Sequence, residues 1–122
     1  MANRRQWIRD YLRQWAKWYV SSSGFSASTR EWRMHMGSLE LVGQHDDSRR
    51  LPNGVVPPRS LLRLIKAMRE VSEASDEGRR AIACVRTYYC LGEAACCEVL
   101  ETSARSVRRL KKAGEDRLKE VL

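Results

Sequence analysis

No stretch of this chain is apolar for long enough to span a bilayer, and its N-terminus carries no signal-peptide pattern. A cytoplasmic protein without a membrane partner is therefore expected. Metal-type cysteine spacing is also missing. The four cysteines are Cys84, Cys90, Cys96 and Cys97. None stands in a C-x2-C or C-x4-C pair matched by a second pair elsewhere, as a tetrahedral zinc site requires. His35 and His45 are far away in sequence, with no cysteine beside them. The expectation is no metal and no disulfide, with the thiols acting as small buried apolar groups on helices. Catalytic patterns are missing as well: there is no Gly-rich phosphate loop, no H-E-x-x-H and no pair of carboxylates set in an apolar surround. A Cys–His nucleophile would need a histidine from the irregular middle of the chain to reach a helix-borne cysteine. The chain is therefore expected not to be an enzyme and to use no cofactor.

What the chain has in quantity is positive charge. Its 122 residues carry 23 Lys and Arg against 15 Asp and Glu, a net charge of +8 and a pI near 9.8. Such a balance favours a polyanion, and neutralising phosphates would make binding steeply salt-dependent. The length suits one compact unit with a sufficient core and leaves little room for a second independent domain.

The charge is densest near the end. In SARSVRRLKKAG, Arg105, Arg108, Arg109, Lys111 and Lys112 fall within little more than two helical turns. The apolar spacing around them predicts a helix-turn-helix over about 93–113. Cys96, Cys97 and Leu100 mark the buried side of a short first helix. Val107 and Leu110 mark that of a second, continued by Gly114, Leu118 and Val121. A small residue is needed where the two helices cross, and Cys97 or Ala94 fits. Ser103 is the expected N-cap of the second helix. The turn position holds Glu101 where glycine is usual, which raises the cost of a left-handed residue unless Thr102 and Ser103 shift the turn. Ser103, Arg105, Ser106, Arg108, Arg109 and Lys112 face away from the Val107–Leu110 side and are the candidate contacts to double-stranded DNA. Arginine can read guanine in bidentate fashion, whereas lysine mostly holds phosphate. Arg105 and Arg109 are the candidates for sequence readout. The bland reading of the same residues is a solvated face on an ordinary helical hairpin.

Upstream, Trp7, Tyr11, Trp15 and Trp18, widened by Ile8, Leu12 and Tyr19, form the apolar stripe of an amphipathic helix over 1–21. Arg4, Arg5, Arg9, Arg13 and Lys17 lie mostly on its other side. The stripe is expected to pack into the core, with part of it left to grip a protein partner as the alternative. Residues 22–58 read as an irregular, mobile segment, with a short helix over Ser28–Met36 capped by Ser28. Residues 59–122 read as the helical domain. Pro57-Pro58 opens one helix, whose apolar face runs from Leu61 to Val71. A break over Ser72–Gly78 follows. The next helix is capped by Ser75 or Asp76, buried through Ile82, Val85, Tyr88 and Tyr89, and closed by Gly92. The fold class expected is all-α, about five helices in one compact unit.

Three segments, LLRLIKAM, RRAIACVRTYY followed by Leu91-Gly92, and SARSVRRLKKAGEDRL, together resemble the C-terminal part of the shorter phage antitermination protein Q family. Trp15-Ala16-Lys17-Trp18 resembles the family's opening helix, and the last segment is also similar to region 4 of bacterial sigma factors. The Cys96-Cys97 pair and Glu101 depart from the pattern. The resemblance implies a phage late-gene regulator in the cytoplasm of a bacterial host. Such a protein binds DNA near a late promoter, loads onto host RNA polymerase paused with sigma present, and makes it resist pauses and terminators. Nascent RNA is a further partner in this reading, because the shorter family lines the RNA exit channel. The rival readings are a free-standing helix-turn-helix repressor or activator, and a protein-binding module whose basic helix meets an acidic partner.

Overall fold

The computed structural model describes residues 4–23 and 57–122. The helix expected over Ser28–Met36, and the rest of 24–56, lie outside the described residues. The described residues form five helices joined by short turns, with no strand among them: α1 (Arg4–Ser23), α2 (Arg59–Ala74), α3 (Asp76–Leu91), α4 (Glu93–Val99) and α5 (Ala104–Val121). The chain is all-α. Helix α3 is the hub, touching each of the other four helices.

Local chemistry sets the joints. Helix α2 starts directly after Pro58 and buries Leu61, Leu64, Ile65, Met68 and Val71. It runs on to Ala74, so the break expected over Ser72–Gly78 shrinks to Ser75 alone. Burial of Ser72 and Val71 against the core carries the helix one turn further than its polar composition suggests. Ser75 is extended, and its Oγ accepts from the Gly78 N–H at 2.9 Å, which assigns the cap to Ser75 rather than Asp76. Asp76 and Glu77 occupy the first turn, where the helix end is positive. Gly92 ends α3 with φ 98° and ψ 176°, a region open essentially to glycine alone, and its N–H bonds to Tyr88 O at 2.8 Å.

The main core joins α1, α2, α3 and the end of α5. Ile8, Leu12, Trp15 and Tyr19 are fully buried in it, whereas Trp7 is 45% exposed. The buried face of α1 is thus turned toward the Ile8–Leu12–Trp15–Tyr19 line, with Tyr11 and Trp18 only flanking it. Trp15 stacks on Tyr19 with ring centroids 5.1 Å apart. The nearly buried Arg86 guanidinium of α3 lies over both rings, at 5.5 and 5.4 Å. Such a desolvated contact is worth about 2 kcal/mol.

Helix α5 is fixed to this core by its second half. Leu118 is fully buried. At Gly114 the backbones of α5 and α3 come so close that a Cβ would sit 2.5 Å from Val85 Cγ2 and 3.0 Å from Ala81 O. Val121, expected as a further anchor, is instead 44% exposed. A polar cluster completes the attachment. Glu115, 1% exposed, takes the Tyr89 hydroxyl hydrogen bond at 2.6 Å and lies 3.0 Å from Lys111 Nζ and 3.6 Å from Arg9 Nε. Arg9 therefore faces α5 instead of lying on the outer side of α1. The Lys111 ammonium also caps the rings of Tyr88 and Tyr89 at 4.6 and 5.4 Å.

Candidate nucleic-acid interface

Helices α4 and α5 are joined by a tight turn. Helix α4 ends as Leu100 N–H bonds to Cys96 O and Thr102 N–H reaches back to Cys97 O at 3.1 Å. Closing that wider loop needs one left-handed residue, and Glu101 supplies it with φ 52°. The turn is therefore at Glu101 and is not shifted onto Thr102 or Ser103. Ser103 then caps α5, its Oγ accepting from the Ser106 N–H at 3.2 Å.

Beneath the turn lies a second, smaller core. Cys84 of α3, Cys96 of α4 and Val107 of α5 are all fully buried, with Tyr88, Cys97, Leu100 and Leu110 packed around them. The Cys96 thiol donates to Cys84 O and the Cys84 thiol to Val107 O, each at 3.4 Å. The hydrogen bond with Cys84, and then burial, push the Cys96 thiol well above its ordinary range. Of the two small residues expected at the crossing, Ala94 is exposed and Cys97 is half-buried at the rim; Cys96 sits deepest. A residue with a short side chain suits this spot because three backbones converge on it.

The first half of α5 stands clear of this support. Ser103, Arg105, Arg108, Arg109 and Lys112 are exposed, and Ser106 is half-buried. Arg105, Arg109 and Lys112 form no ion pair with another described residue. Arg108 is different: its Nε donates to Glu93 Oε1 at 2.7 Å, and the carboxylate pushes the guanidinium's pKa up, fixing its charge. Lys111, counted in the sequence among the cations of the rod, is only 15% exposed and turned into the Glu115 cluster. The outward charge is thus carried by four of the five cations.

An open groove runs along each flank of α5. On the α3 side, Asp76, Glu77 and Arg80 face Thr102, Ser106 and Arg109 across about 530 Å³. Arg80 also donates to Leu100 O at 3.4 Å, tying α3 to the turn. On the α1 side, Arg9, Glu93 and Tyr88 face Arg108 and Lys112 across about 350 Å³. Burial first, and then the bond to Glu115, push the Tyr89 phenol far above its ordinary pKa.

Sequence reasoning missed Arg80, Arg9, Glu93 and Glu115. A signal for the last was present: Lys111, Glu115 and Leu118 fall at i, i+4 and i+7 on one face, so an opposite-charge pair sits on an apolar stripe. Among the described residues, no three His, Cys, Asp or Glu side chains converge to hold a metal ion, and no helix is long and apolar enough to cross a membrane. Comparison of the chain with protein families, curated proteins and solved structures finds no match.

Proposed function

We propose that this chain binds double-stranded DNA through α5 and acts as a transcription antitermination factor of the phage Q type. The observation that carries the reading is the exposed row of Arg105, Arg109 and Lys112 on a helix whose opposite face is anchored by Val107, Gly114 and Leu118. A cationic helix supported from behind and exposed in front has the shape and charge that the major groove accepts. Helix α4 and its turn at Glu101 complete a helix-turn-helix in this reading. Ser103, Arg105, Ser106, Arg108, Arg109 and Lys112 are its DNA contacts. The resemblance of the C-terminal segments to the Q family adds the second step, transfer to host RNA polymerase with sigma present, with nascent RNA as a further contact. Action is non-enzymatic and cytoplasmic in the host cell.

Two measurements test this. Duplexes selected by the protein from a random pool should bind with an affinity that falls steeply as salt rises. Transcription by purified polymerase across a terminator should then read through only when the selected duplex lies upstream. Absence of salt-dependent duplex binding rejects the DNA reading. Blocked initiation without read-through assigns the chain to the repressor class instead.

A further inference from the structure

Resting on the reading of α5 as a DNA-facing helix, we infer that Glu93 is a specificity-determining residue that aims Arg108 at a guanine edge and keeps it from phosphate. Glu93 opens α4 and Arg108 lies in the second turn of α5, so the pair bridges the two helices of the candidate DNA-binding unit. The bond is made through Nε of the guanidinium. That choice of atom matters. Arginine presents its donors in one rigid plane, and a bond at Nε fixes the plane while leaving the two terminal nitrogens out of the bond. Those two nitrogens form the parallel donor pair that guanine O6 and N7 accept.

The surroundings argue the same way. Glu93 contributes an acid to a groove otherwise lined by Arg108, Lys112, Tyr88 and the internally engaged cluster of Lys111, Arg9 and Glu115. A carboxylate at that point repels a phosphate that would otherwise capture Arg108. Arg105 and Arg109 have no such partner among the described residues. A contribution to folding does not account for the pair, because Arg108 is 71% and Glu93 35% exposed, and exposed pairs add little to stability. Specificity is a difference between right and wrong partners, and an acid that penalises the wrong contact raises it.

The test measures binding of the full chain to a duplex selected by the unaltered protein, and to a panel in which each base pair of that duplex is replaced in turn. Glu93→Ala should flatten the preference at one G·C pair by roughly tenfold, while the thermal midpoint stays the same. Arg108→Lys keeps the charge without the fork and should flatten the same position. In an Arg108→Ala background, Glu93→Ala should leave the base profile unchanged. Retention of the full profile by Glu93→Ala overturns the inference. So does an equal change in profile with and without Arg108, since that assigns Glu93 a general charge effect. If the unaltered protein shows no base preference at any position, the DNA-readout reading fails first and the inference falls with it.

Discussion

At the scale of single residues, position along α5 matters less than azimuth around it. Two basic side chains one residue apart, Lys111 and Lys112, have opposite fates: one is drawn into the Glu115 cluster and the other is exposed. Replacing Arg105 or Arg109 by Ala should weaken binding to a selected duplex by about 1–3 kcal/mol and blur its base preference, with little change in stability. A filter-binding or anisotropy titration on selected and scrambled duplexes checks this, and an equal loss on both would assign the residue to phosphate. Glu115→Ala should act on the fold instead. It leaves the Lys111 ammonium and the Tyr89 hydroxyl without their acceptor in a largely dry site, and urea unfolding should show a loss of about 3 kcal/mol. Tyr89 adds a pH dependence. Its folded-state pKa lies above the ordinary value of 10.0, so its contribution is present below pH 10 and is lost as pH rises beyond it. Tyr89→Phe should therefore flatten the alkaline fall in stability. Spacing in the sequence identified which cations face outward and left Lys111 out of that set. It could not reveal Glu115, because a lone acid in a basic run looks like the end of that run until Tyr89 and Arg9 are brought to it by other helices.

At the scale of elements, the joints were legible wherever one side chain decides the geometry. Ser75, Gly92 and Ser103 each end or begin a helix as their chemistry implies. Glu101 was legible as an anomaly, a non-glycine where a left-handed residue is required, and it does adopt φ 52°. Glu101→Gly should relieve that conformation and raise stability by up to about 1 kcal/mol, read as an upward shift of the thermal midpoint. Gly114→Ala tests the opposite case. Its Cβ would meet Val85 Cγ2 and Ala81 O, and the forced separation of α5 from α3 should cost about 1–3 kcal/mol. Periodicity was less informative for α1. The aromatic stripe at Trp7, Tyr11, Trp15 and Trp18 suggested one centre for the buried face, yet the face is centred on Ile8, Leu12, Trp15 and Tyr19. A helix rich in apolar residues over a wide arc offers several faces, and the partner helices choose among them. The same tertiary choice extended α2 to Ala74.

At the scale of the whole molecule, two cores divide the labour. The larger one joins α1, α2, α3 and the end of α5, and the smaller one joins α3, α4 and the start of α5. The all-α class followed from composition and from the 3.6-residue period of the apolar positions. The grooves beside α5 did not, because each is lined by residues that lie far apart in sequence, such as Arg80 with Arg109 and Arg9 with Lys112. Their acids differ in kind. Asp76 and Glu77 on the α3 side are largely exposed and paired with Arg79 and Arg117, whereas on the α1 side Glu93 is paired with Arg108 and the buried Glu115 with Lys111 and Arg9. On the α1 side Lys112 is exposed and forms no ion pair among the described residues, which leaves it as the cation for a phosphate strand. Lys112→Ala should lower the slope of log affinity against log salt by about 1, and a slope unchanged from the unaltered protein would place the strand elsewhere.

The two sealed sulfhydryls beneath the turn give the molecule a built-in reporter. Cys84 and Cys96 can meet an alkylating reagent only after α4 and α5 part from α3, whereas Cys97, half-buried at the rim, and Cys90, half-buried against the main core, are reached sooner. The slow fraction of the labelling time course thus clocks the local opening of this corner, and any ligand that staples α4 to α5 should lengthen it.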